Sequence, residues 1–249
     1  MMQDKLFSCA GDDSVSGPVS KVAAHKFCAE SPRGVLHRAF SVFLFDSQNR
    51  MLLTKRAATK ITFPGVWTNA CCSHPLFSQS PDEMDDNSPS AVESRGGLVS
   101  SVGAKHGAIR KLEHELGVAA GDLPHEGFRF LTRFHYWAAD TQTYGLDTPW
   151  GEHEVDYIFF ARKDGVRMNL NPDEVDEIAW VSQPELRSML DDDTMSWSPW
   201  FRGIMELKGW DYWSKVDEIM DSETLKEGCL DASIHYFDPP KEFYANYNK

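Results

Sequence analysis

Between Phe63 and Pro75 the chain reads Phe-Pro-Gly-Val-Trp-Thr-Asn-Ala-Cys-Cys-Ser-His-Pro, and these thirteen residues constrain the fold more than any other stretch. They carry two thiols, an imidazole and a Pro-Gly turn of a size to face a phosphate, with Arg56 and Lys60 just upstream. A strand that only filled a core would not need such a density of reactive groups. Taken alone, Cys71-Cys72-Ser-His74 is also what packing produces, since buried cysteines behave as small hydrophobes and a single histidine often closes a turn. Two further segments decide between these readings. Val35 to Phe45 is a strand with His37 at its mouth, and Trp150-Gly-Glu152-His-Glu154-Val-Asp-Tyr157 alternates carboxylates. Imidazoles and carboxylates together are the ligand set of a divalent metal, so the fold has to bring three distant segments to one point.

Size and charge bound what that point can serve. A chain of 249 residues can bury a full core, and no internal repeat is visible. Its apolar runs are strand length, far below the ~20 residues of a membrane span. The net charge of −13 argues against nucleic acid as a partner, and an anionic substrate would need cations concentrated locally. Five cysteines, Cys9, Cys28, Cys71, Cys72 and Cys229, are an odd set with a vicinal pair, which fits free thiols in a reducing compartment. The start is neither a secretory signal nor an Arg-rich transit peptide, so an intracellular, cytoplasmic location is expected, with a plastid or another organelle left open.

Along the chain, residues 1–18 are polar, acidic and Gly/Ser-containing, the pattern of a flexible leader, and 19–249 read as one domain with its core at about 35–190. Lys21 and His25 are four apart, which aligns them on one face of a helical turn. Phe40–Phe45 and Met51–Lys55 read as a hairpin, and 77–104 as a long mobile surface loop. His106–Leu116 is the clearest helix, closed by Gly117, with Lys111 and Glu115 four apart. That pair is by default an ordinary surface ion pair. Glu152 and Glu154 share a face if the backbone there is extended, and on the same rule Cys71 faces away from Cys72. Ser198-Pro-Trp200 opens a helix in a C-terminal helical extension.

The cysteine, His37 and Trp-Gly-Glu-x-Glu motifs, in this order from about Lys21 to Trp200, resemble the type I isopentenyl-diphosphate isomerases, a branch of the Nudix superfamily. That resemblance implies an α+β fold, a Nudix-like α/β/α sandwich around a mixed sheet with N- and C-terminal extensions. It implies a metal site of His25, His37, His74, Glu152 and Glu154 holding Zn²⁺, Mn²⁺ or Mg²⁺. It further implies a diphosphate site of Lys21, Arg56, Lys60 and Lys111, with Mg²⁺ on Glu115 and a backbone carbonyl near Cys72. Cys72 and Glu154, the latter paired with Tyr136, would handle protons on opposite faces of isopentenyl diphosphate, and Trp200 would shield the carbocation. The expectation is a monomer acting on this small molecule, without nucleic acid or a membrane span.

The Nudix hydrolase motif is informative here through its gaps. Gly96, Arg110, Leu112, Glu115, Gly117 and Val118 fit it, whereas Val102, Lys111 and His114 replace acidic positions. Carboxylates at those positions gather the metal ions that activate water, so their loss disfavours hydrolysis. Two alternatives remain beside the isomerase: a Nudix diphosphate hydrolase, and a catalytically silent protein that binds prenyl diphosphates.

Overall fold

Leu6, Phe7 and Cys9 are apolar, and burying them turns the opening residues into structure. The computed structural model describes residues 4–248, and there β1 (Lys5–Cys9) and β2 (Val15–Ser20) form an antiparallel hairpin. The expected flexible leader is therefore corrected: Leu6 and Phe7 are buried, and Ser8 of β1 pairs with His37. Only residues 1–3 of that leader lie outside the described residues. Polar composition misled because two inward side chains are enough to dock a short strand.

α1 (Lys21–His25) is a single turn whose N-cap, Ser20, accepts from the Ala23 amide. β3 (His37–Phe45) is buried along its whole length, and β4 (Met51–Arg56) pairs with it only at Phe45 and Met51 before turning to other partners. β5 (Trp67–Asn69) lies on β4, and β6 (Cys71–Ser73) lies on β3.

The segment 77–104, expected as a mobile loop, is pinned. It contains α2 (Pro89–Ser94), and its buried residues Glu83, Asp85 and Asn87 reach into the core. The Asp85 carboxylate accepts from the Gly103 and Ala104 amides at 3.1 and 2.9 Å, capping α3 (Val102–Leu116), which starts four residues earlier than its apolar stripe suggests. Glycine lets the loop come this close, since a Cβ on Gly103 would stand 2.4 Å from the Glu83 carbonyl carbon.

β7 (Phe128–Ala139) and β8 (Gly151–Arg162) are long antiparallel partners joined through α4 (Thr141–Tyr144). β9 (Val175–Val181) pairs with β4, and α5 (Gln183–Leu190) follows behind a capping box of Ser182 and Glu185. The C-terminal extension is α6 (Pro199–Ile204), a π-helical turn at Met205–Gly209, α7 (Trp210–Ser214) and α8 (Val216–Asp221). It also contributes a strand, β10 (Ile234–Phe237), parallel to β7, followed by 3-10 turns at Lys241–Phe243 and Asn246–Asn248.

The sheet runs β10-β7-β8-β3-β1-β2, with β6 also on β3 and β4 carrying β5 and β9. It is mixed because β3 and β8 are parallel while their outer neighbours are antiparallel. Alternation along β3 builds two cores. Phe43 and Phe45 face Tyr136, Ile158, Trp200 and the C-terminal helices, whereas Phe40, Val42 and Leu44 face Tyr157, Phe159 and the Leu112 and Leu116 side of α3. The result is an α/β/α sandwich, and the functional residues gather at the end of the sheet where α1 meets β8.

Candidate active site

Strand register assembles the site. His37 sits opposite Glu154 across β3 and β8, and Tyr136 sits opposite Glu154 across β7 and β8. Glu152 and Glu154, two apart on β8, share that face. His25 is delivered by α1, which is tied to the start of β8 by a Lys26–Trp150 bridge and a bond from the Phe27 amide to the Pro149 carbonyl at 3.0 Å. His74 follows β6 directly, and Arg110 of α3 holds its carbonyl at 3.1 Å.

The ligand atoms of His25, His37, His74, Glu152 and Glu154 all lie within 4.8 Å of one another, and all five residues are buried. His25 Nε2 stands 2.8 Å from Glu152 Oε2, and His74 Nε2 stands 2.8 Å from Glu154 Oε1. Two of the rings have their tautomer fixed from behind. Nδ1 of His25 donates to the Lys21 carbonyl at 2.6 Å and Nδ1 of His37 to the Val35 carbonyl at 2.7 Å, which turns both Nε2 lone pairs inward. His37 Nε2 and Glu152 Oε2 are buried without a hydrogen-bond partner. Orphaned acceptors converging in a closed space are costly unless a cation satisfies them, so three imidazoles and two carboxylates fit a divalent metal.

The charge states agree with ligation. Burial, followed by the neighbouring His25, pushes His37 down to about 3, and burial with His25 and His37 likewise lowers His74. Both imidazoles are thus neutral, as a ligand must be. Burial opposes ionisation of Glu152, but contact with His25 outweighs it and holds this carboxyl at about 2. Glu154 is pushed up by burial and by the Glu152 and Asp156 charges. Two carboxylates so placed repel until a proton or a metal comes between them.

Beside this cluster opens a cavity of about 700 Å³ including its mouth. Its wall carries Lys21, Arg56, Lys60 and Lys111, together with Cys72, Tyr136 and Trp200 and with His25, His74, Glu152 and Glu154 of the cluster. His37 stands behind them, completing the metal cluster. Four cations in one cavity of a chain with net charge −13 are the local concentration that an anion requires.

Each cation is positioned. Arg56 donates to the carbonyls of Thr62 and Phe63 at 2.8 and 2.9 Å, and its guanidinium lies 5.5 Å from the Trp200 ring centre. Phe63 holds a left-handed φ of 48°, secured by its amide's bond to Asp140 at 2.8 Å. Lys111 contacts Glu115 at 2.9 Å and Glu174 at 3.4 Å, so this is a buried pair and not the surface pair expected by default. Lys60 bonds the other Glu174 oxygen. Burial, then Lys111 and Lys60, lowers Lys21. For Lys111 burial is outweighed by Glu115 and Glu174, and the ammonium is held above its usual value. Glu115 does not reach the cavity wall itself and stands one side chain back, against Lys111.

Tyr136 donates to Glu154 Oε2 at 2.5 Å. Phe237 of β10 stacks on Tyr136 with planes 3° apart, and Trp200 lies 6.4 Å away, so the acidic tail has a structural task at the site. Cys71 packs into the α3-side core while Cys72 faces the cavity, as their adjacency on a strand requires. Burial, then the Asp156 and Glu154 charges, raises the Cys72 thiol, so it is protonated at neutral pH.

One expectation meets a different geometry. The Cys72 sulfur lies within 4.8 Å of a Glu154 oxygen, whereas an alkene between two groups needs roughly 7 Å, two carbon contacts of about 3.5 Å. A substrate therefore cannot sit between Cys72 and Glu154 without parting them.

Three site residues escaped the sequence reading: Ser41, Asp156 and Glu174. Asp156 continues the alternation of Glu152 and Glu154 by one more step, a period-two signal that was present. Glu174 had none, because only the Arg56–Val175 register of β4 and β9 carries it to Lys60.

Comparisons with known proteins fit this geometry. The NUDIX domain model matches residues 35–201. A Schizosaccharomyces pombe protein named isopentenyl-diphosphate delta-isomerase is 46% identical over 79% of this chain and 79% of its own length. A Candida albicans protein of the same name is 41% identical over 90% of this chain and 78% of its own. An Arabidopsis thaliana protein named isopentenyl-diphosphate delta-isomerase I, chloroplastic, is 38% identical over 90% of this chain and 74% of its own. A crystal structure of a Deinococcus radiodurans protein, 14% identical, superposes with a TM-score of 0.52 over 81% of this chain and 98% of its own, which speaks to the fold alone. With a matching domain model over most of its length and relatives at this identity, the chain belongs to the isopentenyl-diphosphate delta-isomerase family of NUDIX proteins.

Proposed function

We propose that this protein converts isopentenyl diphosphate to dimethylallyl diphosphate by adding one proton and removing another. The observation that carries this reading is the buried cluster of three imidazoles and two carboxylates set within reach of a thiol, beside a cavity lined by four cations. An unactivated alkene is barely basic, so its protonation needs a strong acid shielded from water. A proton delivered to the terminal CH₂ makes it a methyl group and leaves a tertiary cation; loss of a proton from the carbon next to C1 then closes the new double bond.

Glu154 and Cys72 are the two groups that hold and move these protons, and Tyr136 fixes the Glu154 carboxyl at 2.5 Å. His25, His37, His74, Glu152 and Glu154 would hold Zn²⁺, Mn²⁺ or Mg²⁺, which when bound relieves the carboxylate repulsion and makes a carboxylic proton at Glu154 more acidic. Trp200 presents its ring to the cation, worth up to ~2 kcal/mol in a dry site, and excludes the water that would quench it. Lys21, Arg56, Lys60 and Lys111 bind the diphosphate, and Glu115 would hold a diphosphate-bound Mg²⁺ together with a carbonyl near Cys72. The chain acts as a monomer, a single copy supplying every group named here. Five free cysteines support a reducing compartment, and no helix among the described residues is long and apolar enough to cross a membrane.

Incubating metal-replete protein with isopentenyl diphosphate and identifying the products tests this directly. An allylic diphosphate with the diphosphate intact is the expected outcome. Release of phosphate or pyrophosphate would instead make it a hydrolase, and tight binding without turnover a binding protein.

A further inference from the structure

Beneath Cys72 lies a polar pair that the reaction described so far does not use. Ser41 sits opposite Cys72 in the β3–β6 register, so the two side chains share a face of the sheet. Its Oγ is 2.8 Å from Asp156 Oδ2 and 3.5 Å from Cys72 Sγ. Ser41 and Asp156 are both fully buried, and Asp156 Oδ1 has no partner. Neither lines the cavity, so neither touches a substrate there. A hydroxyl has one proton to give. Set between the two, the Ser41 hydroxyl contacts the Asp156 carboxyl and is placed to donate to the Cys72 sulfur. An apolar residue would fill the same strand positions at less desolvation cost, and Ala39 and Ile158 do so on either side.

We propose that Ser41 and Asp156 are positioning residues for Cys72, acting in series: Asp156 orients the Ser41 hydroxyl, and Ser41 fixes the rotamer of the thiol and the direction of its proton. This rests on the reading of Cys72 as a proton-transfer group. Held by Ser41 on one side, the Cys72 sulfur turns its other side to the cavity. The pair also sets where Cys72 stands relative to Glu154, the spacing that an incoming alkene has to widen.

The test is steady-state kinetics with isopentenyl diphosphate on Ser41→Ala, Asp156→Ala, Asp156→Asn, Ser41→Ala/Asp156→Ala and Cys72→Ala, each metal-replete with its metal content measured. Misplacing a reacting group by a fraction of an ångström costs of the order of 10–100-fold. Ser41→Ala is expected to lower kcat by that factor, with KM within about twofold and metal content unchanged, whereas a general loss of structure would move all three. Asp156→Asn keeps a hydrogen-bond partner for Ser41 and is expected within about fivefold of wild type; Asp156→Ala tracks Ser41→Ala. Because the two act through one another, the double variant is expected to be no slower than the slower single. If Ser41→Ala does not fold, the Asn-against-Ala comparison at position 156 carries the test alone. Wild-type kcat in Ser41→Ala alongside an inactive Cys72→Ala, or losses that multiply in the double variant, would overturn the inference. Full turnover in Cys72→Ala would overturn the role given to the thiol itself, and this inference with it.

Discussion

Glu174 shows how a single carboxylate can shape an anion site without facing it. It bonds Lys60 and contacts Lys111 and His114, while Glu115 takes the other side of Lys111. The four cavity cations repel one another, and Glu174 offsets that repulsion until a diphosphate arrives. Burial resists its ionisation, but Lys60 and then Lys111 outweigh this and depress its pKa from 4.5 to about 2. Between those values the unfolded chain takes up a proton that the native state refuses. The stabilisation is therefore complete above pH 4.5 and lost as the pH falls toward 2. Glu174→Gln is expected to lower the melting temperature at pH 7 and to flatten the acid limb of the stability curve. Because pyrophosphate with Mg²⁺ then replaces the missing charge, it should raise the melting temperature of Glu174→Gln more than that of wild type. Equal ligand-induced shifts in a differential scanning experiment would show that Glu174 has no part in balancing these lysines.

At this scale much of the site was legible. The five clustered residues all lie in segments that carry the family resemblance, and the period-two rule puts Glu152 and Glu154 on one face. What could not be read were partners brought in by long-range register: Ser41 looks like an ordinary strand serine, and Glu174 like one of many acids near a turn. Nor could the closeness of Cys72 and Glu154 be read, because it arises where β6 and β8 flank β3 and present both side chains to one face of the sheet.

Among the elements, the β1–β2 hairpin has the clearest reason to exist. Its turn inserts Asp13, fully buried, between two guanidiniums: Arg38 donates at 2.6 Å and Arg133 at 2.9 Å, and the Tyr157 hydroxyl also bonds it. Asn87 reaches the same cluster from the segment before α2, donating to Tyr157 at 2.8 Å. This network lies on the α3 side of the sheet, directly behind His37 and Glu154, because Arg38 and Tyr157 alternate with residues of the site face. Removing one partner of a buried ion cluster leaves uncompensated charge, which typically costs about 3–5 kcal/mol. Asp13→Ala is expected to lose stability on that scale in urea unfolding, and Leu6→Ala less; a loss under about 1 kcal/mol would mean the hairpin is an ornament. Composition made this segment look like a leader because the Gly-Asp-Asp-Ser turn and the polar β2 outweigh the three apolar residues of β1. The segment 77–104 misled for the same reason, since it is held by carboxylate caps and ion pairs such as Glu83–Arg110 at 2.6 Å, which leave no hydrophobic period.

For the whole molecule, the two faces of one sheet divide the labour. The α3 face is closed by mixed aliphatic and aromatic packing and the Asp13 network, and it holds β3 and β8 in the register that the site needs. The opposite face is lined by aromatic residues around Tyr136 and Trp200 and ends in the cavity. Acidic charge over most of the chain and four cations inside one pocket concentrate positive charge where an anion can be held. The fold could be anticipated through the family resemblance carried by the cysteine, His37 and Trp-Gly-Glu-x-Glu motifs; the extensions have weak patterns and could not.

The reaction itself is read most directly by nuclear magnetic resonance of isopentenyl diphosphate incubated in D₂O with the metal-replete protein, followed at low conversion. Proton delivery by Glu154 or Cys72, both exchangeable with solvent, gives dimethylallyl diphosphate carrying one deuterium in a methyl group, with no free phosphate or pyrophosphate. Product without solvent deuterium, or substrate whose diphosphate has been cleaved, would contradict it.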